Sequence, residues 1–493
     1  MKRRQFCAAV PAALGVVALA PWRLARAATG TVTLAGLDGG TRTVTGSEVD
    51  ELRGALRGEL LAPGQDGYDA ARRLWNPAFD RKPALIARCS GAADVKQAVS
   101  FAAAHGVLTA VHGGGHSLSG QSAWDNALMI DVAPMRAVEV DPQARRAHVQ
   151  AGALLGQLDR EAQAFGLATT AGTVADTGVA GLTLGGGVGR IGRRFGLSCD
   201  NLKSVELVTA DGRWQRASET DNPDLFWAVR GGGGNFGVVT AFDFQLHEVQ
   251  PQMYGGQLFY PRTNARSLLR HFADYLGSAP DELYVDLVLE SDPKLGPVAA
   301  FDVCYSGPLP QAEQVLAGLR KLGKPLRDEL GPNTYVALQG SADTPGFSKF
   351  GVYVKGGLIY GLSPALIDAV TGLMDAAPSQ QMQVWLQHQG GAISRAAPQA
   401  TAYWGRAASH NLGLIGAWPA GSPEAEANKE WVRKAWAQIE PLTRGNYVNI
   451  ANTDDRDSRV REAYGENWER LTQLKRRYDP ANLFRLNANI KPA

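Results

Sequence analysis

The stretch that decides the fold is Gly113-Gly114-Gly115-His116-Ser117, which directly follows the strand-like run from Val107 to His112. Consecutive glycines allow positive φ values and present successive N–H groups to one anion, as a pyrophosphate requires. The stretch has neither the Gly-Lys-Ser/Thr ending of a P-loop nor a Rossmann G-x-G-x-x-G pattern. We therefore expect an α/β unit whose strand-to-loop junction binds a phosphate-containing ligand through another motif.

Two further glycine clusters follow along the chain. The second extends from Asp176 to Gly189, and its apolar residues Val179, Leu182 and Leu184 argue against a merely flexible loop. This cluster favours tight backbone packing or contact with a large flat ligand. The third cluster, Arg230–Thr240, reads as a turn that enters a strand, and a plain glycine-rich hairpin remains an alternative for it.

The periodicity outside these clusters predicts a mixed α/β chain. Residues 28–50 are polar and rich in Thr and Gly, which predicts a loosely packed lead-in, and 52–60 allow a short helix. Residues 84–88, 95–104 and 107–112 then read as strand, helix and strand. Between about 255 and 435 the glycine clusters thin out, and strands at 284–289 and 298–303 alternate with helices at 311–322 and 364–374. We interpret this region as a second domain.

Composition excludes several classes of protein. The chain has 493 residues, 45% of them apolar, so it can bury a substantial core. Its 50 basic and 48 acidic residues nearly balance, which argues against a polybasic nucleic-acid binder. Its 57 glycines exceed the usual share of about 7% without any collagen-like period.

The first residues resemble an export signal. Lys2-Arg3-Arg4-Gln5-Phe6 precedes an uncharged run that ends at Ala20, and Ala25-Arg26-Ala27 matches an A-x-A cleavage site. Paired arginines followed by Phe resemble a twin-arginine (Tat) signal, whose route exports proteins already folded. We expect residues 1–27 to be this signal and the mature protein to be periplasmic or secreted after passing the Tat translocon. The alternative is an uncleaved membrane anchor, although the apolar run is short for a membrane span.

The cysteines predict no metal site. Cys7, Cys89, Cys199 and Cys304 show no C-x-x-C spacing and have too few neighbouring histidines for zinc. Removal of the signal would leave three cysteines, which could be free or buried as small apolar residues.

Taken together, these segments resemble the FAD-linked oxidases of the vanillyl-alcohol oxidase/PCMH superfamily, in the berberine-bridge-enzyme-like (BBE-like) branch. The resemblance rests on the three glycine clusters, Pro223-Asp224-Leu225-Phe226-Trp227, Tyr447-Val448-Asn449 and the C-terminal run from Tyr478 to Phe484. It covers nearly everything after the signal. It implies an α+β fold, with a PCMH-type FAD-binding domain of two α/β subdomains and a substrate domain built on a large antiparallel sheet covered by helices.

The resemblance also implies domain limits and cofactor contacts. The FAD-binding domain would cover 46–250, the substrate-binding domain 251–439, and a BBE-like segment, 440–493, would return to the FAD domain. His116 occupies the position that forms a covalent bond to the flavin 8α-methyl group, whereas Val174 occupies the position of a second, cysteinyl attachment. One covalent bond is therefore expected, and Cys199 is not expected to substitute. The implied cofactor-binding residues are Gly113, Gly114, Gly115, His116, Ser117, Gly120, Asp176, Thr177, Gly178, Gly181, Gly185, Gly186, Gly187, Gly189, Gly237, Val238, Asn449 and Asn487.

The implied reaction is hydride transfer from an alcohol or amine carbon to flavin N5, followed by reduction of O2 to H2O2. Tyr447 matches the base of sugar-oxidising relatives that read Tyr-x-Asn-Tyr, although Ile450 replaces the last Tyr here. Because Tyr ordinarily titrates near 10, it would need anion-stabilising donors nearby. Residues that we predict to contact the small-molecule substrate are Tyr403, Arg406, His388 and Gln389.

Three alternatives remain at this point. A dehydrogenase of the same fold would pass electrons to a carrier and react slowly with oxygen. The small Thr177, near the expected path of oxygen, favours an oxidase over this alternative. A natural-product oxidative cyclase would act on a bulky apolar substrate. A non-catalytic exported binding protein would hold no flavin and would be colourless. Nothing in the sequence predicts a nucleic-acid partner or stable membrane association.

Overall fold

The computed structural model describes residues 30–343 and 348–492. The expected export signal at 1–27 lies outside the described residues. No helix of the described residues is long and apolar enough to cross a membrane. The two β-strands that open the described chain form a hairpin whose Leu34 and Val44 are buried in the core. The prediction of a loosely packed lead-in at 28–50 is therefore wrong for its described part, because Val32 and Leu34 of β1 and Val44 of β2 pack into the core.

The first α/β unit extends from this hairpin to residue 131. Strands β4, β5 and β6 pair in parallel, and β3 joins β4 in the antiparallel direction. Helix α1 ends at Ala55 rather than reaching 60, because Leu56 leaves the helix in an extended conformation. The elements are β1 Thr31–Ala35, β2 Thr41–Thr45, α1 Gly46–Ala55, β3 Glu59–Leu61, α2 Tyr68–Ala71, β4 Leu85–Arg88, α3 Ala92–His105, β5 Thr109–His112 and β6 Leu128–Asp131.

The second unit is built on an antiparallel sheet of order β11-β10-β12-β8-β7. Helix α5 and the short α6 lie within and just after the second glycine cluster. The elements are β7 Val138–Asp141, β8 Arg146–Gln150, α4 Leu155–Gln163, β9 Leu167–Ala168, α5 Val179–Leu184, α6 Gly192–Phe195, β10 Leu202–Val208, β11 Trp214–Ser218, α7 Pro223–Val229, β12 Val238–Gln245 and β13 His247–Glu248.

A large antiparallel sheet of order β17-β14-β16-β15-β20-β21-β19, with β18 beside β14, forms the third unit. One of its faces packs against α8, α9, α11 and α13 in a separate apolar core. This confirms the fold class predicted from the sequence. The elements are β14 Gln252–Pro261, α8 Ala265–Leu276, β15 Leu283–Asp292, β16 Gly296–Tyr305, α9 Ala312–Arg320, β17 Arg327–Asp328, β18 Gly331–Thr334, α10 Tyr335–Gln339, β19 Phe350–Ile359, α11 Pro364–Asp375, β20 Met382–His388, α12 Ala392–Arg395, β21 His410–Pro419 and α13 Ala425–Ile439.

The C-terminal segment, with α14 Asp457–Tyr464 and α15 Trp468–Tyr478, packs into the core of the first two units. Lys475 is fully buried, and its Nζ donates to Asp479 Oδ2 at 2.7 Å and to the carbonyl oxygen of Asn235 at 2.8 Å. Because Asn235 belongs to the third glycine cluster, this buried ammonium ties the C-terminal segment to that cluster. At the start of the same C-terminal segment, Tyr447 contacts the second glycine cluster through the nitrogen of Gly187.

Candidate active site

The first two glycine clusters touch each other through their backbones. A Cβ at Gly114 would lie 2.5 Å from the Cα of Gly178, and a Cβ at Gly178 would lie 2.7 Å from the nitrogen of Gly114. Gly115 has a φ of +66°, which other residues adopt only with strain. The N–H groups of residues 113–117 donate to no backbone carbonyl of the described residues. The two clusters thus form one glycine-lined junction, and the N–H groups of its first loop can donate hydrogen bonds to an anion.

Close packing accounts for the other glycines of the second cluster, because a side chain at these positions would collide with its neighbours. A Cβ at Gly189 would lie 1.8 Å from the carbonyl oxygen of Ala171, and one at Gly187 would lie 2.3 Å from Ser198 Cβ. Gly185 and Gly186 face Asn449 and Tyr403 in the same way, at 2.0 and 2.7 Å. Residues from the C-terminal segment and the third unit therefore pack directly on this cluster.

His116 lies at the edge of the junction between an aromatic ring and a carboxylate. Its imidazole stacks on Trp75 with 4.4 Å between ring centroids and an interplanar angle of 27°. Its Nε2 lies 3.5 Å from Asp176 Oδ1, at the start of the second cluster. The ring is thus held in a defined orientation at the loop that was predicted to bind a phosphate group.

Tyr447 has its hydroxyl inside the second cluster. Its oxygen accepts hydrogen bonds from Asn449 Nδ2 at 2.8 Å, from the nitrogen of Gly187 at 3.0 Å and from that of Val188 at 3.4 Å. Burial raises the pKa of Tyr447 to about 12, while these donors act in the opposite direction because they stabilise the phenolate. Three N–H donors on one phenol oxygen suit an anion better than a neutral hydroxyl, which must also place its own proton.

Of the four predicted substrate residues, two lie at this cluster. Tyr403 meets Tyr447 edge to face at 6.2 Å, and its hydroxyl donates to Gln389 Oε1 at 3.3 Å. Burial raises the pKa of Tyr403 well above its ordinary value, so its hydroxyl stays protonated. Gln389 Nε2 is buried without a hydrogen-bond partner among the described residues. Tyr403 and Gln389 together can offer hydrogen bonds to a ligand beside Tyr447.

The other two predicted substrate residues are engaged elsewhere. Arg406 is buried and binds both carboxylate oxygens of Asp200, at 3.0 and 2.6 Å, and Thr401 Oγ1 at 2.6 Å. His388 Nε2 lies 3.0 Å from a guanidinium nitrogen of Arg193, and burial together with that cation keeps the pKa of His388 well below its ordinary value. These contacts fix the loop that carries Gln389. Substrate contact by Arg406 and His388 stays a prediction.

The third cluster and the tail complete the surroundings. Gly237 has a φ of +158° and leads into β12, where Val238 is buried. Gln121 Nε2 donates to the carbonyl oxygen of Asn487 at 3.2 Å, which joins the C-terminal tail to the loop after the first cluster. Gly120 has a φ of +72°, and its Cα faces the ring of Phe79. Contact of the predicted cofactor-binding residues with FAD stays a prediction.

Comparison with known proteins identifies the family. The family described as "FAD binding domain" matches residues 83–218, and that described as "Berberine and berberine like" matches 446–491. The (R)-6-hydroxynicotine oxidase of Paenarthrobacter nicotinovorans is 32% identical over 452 residues, which cover 89% of this chain and 97% of that protein.

The chain belongs to the BBE-like FAD-linked oxidoreductases.

Other relatives agree with this membership. The xylooligosaccharide oxidase of Thermothelomyces thermophilus is 27% identical over 477 residues, covering 90% of this chain and 94% of that protein. The crystal structure of 6-hydroxy-D-nicotine oxidase from Arthrobacter nicotinovorans superposes with a TM-score of 0.82 at 30% identity, covering 89% of this chain and 98% of that one. The protein is therefore an FAD-dependent oxidoreductase, and the alternative of a non-catalytic binding protein does not fit this membership.

The junction of this BBE-like oxidoreductase fits FAD. The backbones at Gly114 and Gly178 approach so closely that no side chain fits between them. The N–H groups of 113–117 donate to no backbone carbonyl of the described residues, which suits the binding of a diphosphate. Gly181 has no atom within 4 Å of the position of a Cβ, so the surface beside α5 is open to a large ligand. Asn487 Oδ1, on the tail, is buried without a partner among the described residues.

The three described cysteines of this oxidoreductase are buried thiols of low reactivity. Cys89, Cys199 and Cys304 are free and buried. Burial raises the pKa of each thiol, to about 12 for Cys304 and further for the other two. Because the thiolate is the reactive form, these groups are poor nucleophiles.

Sequence reasoning missed a set of polar residues on the large sheet. Asp286, Gln387 and Asn411 are buried on the face opposite the helices, and Asn411 Nδ2 donates to Gln387 Oε1 at 3.4 Å. The same face meets the FAD-binding units, since Asp302 binds Arg190 at 2.7 Å. Polar residues that alternate with apolar ones along β15 and β20 were the available signal.

Proposed function

We propose that this protein is an oxidase that takes a hydride from a carbon bearing a hydroxyl or amine group and passes the electrons to dioxygen. The observation that carries the proposal is the phenol oxygen of Tyr447, which accepts three N–H hydrogen bonds inside the glycine cluster. These donors stabilise the phenolate and offset part of the burial that keeps the pKa of Tyr447 at about 12, which lowers the cost of forming the base that removes the substrate proton. FAD, when bound, supplies the hydride acceptor at N5 and the site of dioxygen reduction to hydrogen peroxide.

The residues of the chain would divide the work as follows. The glycines at 113–115 and Ser117 would hold the diphosphate, because their N–H groups donate to no backbone carbonyl of the described residues. Tyr447 would accept the proton of the substrate hydroxyl or amine as hydride leaves the carbon, which requires hydrogen-bond reach to that group. Tyr403 and Gln389 would orient the substrate beside it.

We also propose that FAD is attached through one covalent bond to His116 and that no cysteinyl bond is added. The orientation of His116 on Trp75 and the apolar Val174 at the second attachment position support this. The buried Cys199, whose nitrogen donates to the carbonyl oxygen of Gly186, is packed into the cluster rather than turned to a ligand.

The proposed substrates are a sugar or oligosaccharide, or a secondary-metabolite alcohol. Support comes from two relatives, a xylooligosaccharide oxidase and an (R)-6-hydroxynicotine oxidase. The N-terminal pattern of residues 2–27 supports Tat-dependent export, and hence a periplasmic or secreted location.

Two measurements test the proposal. Purified protein is offered mono- and oligosaccharides, alcohols and cyclic amines under air, and hydrogen peroxide is detected; we expect at least one class to yield peroxide. Turnover with an artificial electron acceptor but no peroxide would instead favour the dehydrogenase. Acid precipitation of wild type and His116→Ala tests the attachment, since flavin colour should stay in the wild-type pellet and leave the variant pellet.

A further inference from the structure

The attachment proposed above raises the question of what activates His116. An imidazole becomes a nucleophile at one nitrogen when the other nitrogen holds the proton, and a hydrogen-bond partner decides which one does. In this protein Nε2 is the nitrogen that lies near a carboxylate, 3.5 Å from Asp176 Oδ1; this is an ion-pair distance and not a hydrogen bond, and Nε2 is buried with no hydrogen bond to the described residues. Stacking on Trp75 restricts rotation of the ring away from that carboxylate.

The backbone of Asp176 is held by a residue from the unit with the large sheet. Asp343 Oδ1, from the unit with the large sheet, accepts hydrogen bonds from the nitrogen of Ala175 at 2.7 Å and from that of Asp176 at 3.1 Å. The carbonyl oxygen of Thr177 accepts from the nitrogen of Leu155 at 2.9 Å. The backbone that carries the carboxylate is thus fixed by two separate parts of the chain.

Trp75 is fixed as well. Its nitrogen donates to the carbonyl oxygen of Gly115 at 3.0 Å, and its carbonyl oxygen accepts from the nitrogen of Ser348 at 3.2 Å. Ring and carboxylate therefore enclose His116 on two sides, and neither depends on His116 for its own position.

From this geometry we propose that Asp176 is the positioning residue for flavin attachment. It holds the proton on Nε2 of His116, so that Nδ1 is the nitrogen that attacks the flavin. Its negative charge stabilises the positive charge that develops on the imidazole. This inference rests on the proposed attachment of FAD to His116. It assigns to Asp176 a role in forming the bond rather than in holding the cofactor.

The step balances without any group besides FAD and dioxygen. His116 Nδ1 forms a bond to the 8α carbon while one C–H bond of that methyl group breaks. The two electrons of the C–H bond remain in the ring system, which is reduced, and the proton of that bond passes to the reduced ring. The proton leaving Nε2 passes towards Asp176 and on to solvent or to the reduced ring. Dioxygen then takes two electrons and two protons to give one hydrogen peroxide for each bond formed.

The experiment measures bond formation directly. Full-length apoprotein, freed of cofactor by expression under riboflavin limitation, is mixed with FAD under air, and covalent flavin is followed by acid precipitation and intact mass. The rate is recorded against FAD concentration for wild type, Asp176→Asn and Asp176→Ala. We expect both variants to lower the limiting rate at least tenfold while the half-saturating FAD concentration stays unchanged, with Asn retaining more rate than Ala because it can still bind the ring.

A matched control is available elsewhere in the chain. His148 and Asp243 form another His–Asp pair, 2.8 Å apart and outside the junction. Asp243→Asn should leave the limiting rate of attachment unchanged. Asp176→Asn is nearly isosteric, so its result decides the question even if Asp176→Ala fails to fold.

The possible outcomes distinguish the role of Asp176 from the proposed attachment of FAD to His116. A wild-type limiting rate in Asp176→Asn would overturn the role of Asp176 and leave attachment at His116 intact. An unchanged limiting rate with a raised half-saturating concentration would also overturn it, because Asp176 would then act in binding. Absence of covalent flavin in wild type would remove the attachment and this inference together, while the peroxide assay would still report on the oxidase reaction.

Discussion

The carboxamide nitrogen of Asn449 lies 2.8 Å from the phenol oxygen of Tyr447 and makes the shortest of the three hydrogen bonds to it. The same nitrogen donates to the carbonyl oxygen of Leu182 at 2.9 Å, which fixes the carboxamide against α5. Asn449 thus counteracts the burial that raises the pKa of Tyr447, and the two residues act as one unit.

Replacement of Asn449 by Ala is expected to raise the pKa of Tyr447 further. A hydrogen bond to a charged group contributes about 1.5–3 kcal/mol, so the ascending limb of the pH–rate profile should move to higher pH by about 1 to 2 units, and kcat at any fixed pH on that limb should fall about 10- to 100-fold. The sign follows because a base with a raised pKa is deprotonated only at higher pH. The measurement is kcat against pH with the best substrate of the panel. Tyr447→Phe, which removes the base, should lower kcat by about 10²- to 10⁴-fold; an unmoved limb in Asn449→Ala would contradict the coupling.

Asp286 gives the protein a pH-dependent stability. Burial raises its pKa to about 7, although Trp385 Nε1 and the nitrogen of His388 both donate to its carboxylate at 3.0 Å. The folded state therefore binds this proton between about pH 4 and 7 while the unfolded state does not, and stability falls as pH rises through that window, by up to about 1.4 kcal/mol per pH unit. Asp286→Asn should lack this decline.

The test compares melting temperatures of wild type and Asp286→Asn from pH 4.5 to 7.5. The variant should gain stability relative to wild type as pH rises. Asp159, whose pKa burial likewise raises to about 7, contributes equally to both proteins and so cancels. A difference between the two melting temperatures that does not change with pH would show that Asp286 titrates normally.

The sequence predicted the elements of this fold well but only part of the site. Strands, helices and glycine clusters depend on local periodicity and on backbone conformations that glycine alone adopts easily, and these are visible in a single segment. Arg406 illustrates what is not visible: its partner Asp200 is 206 residues away, so its pairing could not be read from neighbouring residues. Asp286 was missed for the same reason, since only the packed sheet decides which face a polar residue of β15 takes.

Arg406 is expected to contribute to stability. Its buried guanidinium binds both oxygens of the largely buried Asp200 carboxylate, and removal of one partner leaves the other charge without compensation. Arg406→Ala should lower the free energy of unfolding by about 3–5 kcal/mol, and Asp200→Ala by a similar amount. The double variant should cost clearly less than the sum of the two, because no charge is then left alone. A raised KM with unchanged melting temperature in Arg406→Ala would instead assign this residue to the substrate.

Gly181 offers a test of where the cofactor lies. It has no atom within 4 Å of the position of a Cβ and no positive φ, and it lies within helix α5, so Gly181→Ala should raise the melting temperature of the apoprotein slightly rather than lower it. If FAD packs there as predicted, the added methyl group should lower the affinity for FAD. Gly372→Ala, equally open but on α11, should raise the melting temperature similarly and leave the affinity for FAD unchanged. Binding is measured by flavin fluorescence quenching on titration of the apoproteins, and equal affinities in the two variants would remove Gly181 from the cofactor site.

Cys199 should prove dispensable for flavin attachment. Its thiol is fully buried, and burial raises its pKa far above the ordinary value, so almost no thiolate is present to act as a nucleophile. Cys199→Ser should therefore retain flavin in the acid-precipitated pellet at the wild-type ratio, whereas His116→Ala should lose it. The ratio of flavin to protein in the redissolved pellet is the measurement, with Cys304→Ser as a control at another buried thiol. Flavin retained in His116→Ala but lost on further substitution of Cys199 would identify the thiol as the attachment point, and the packing of the second glycine cluster around it would then have to open before the bond could form.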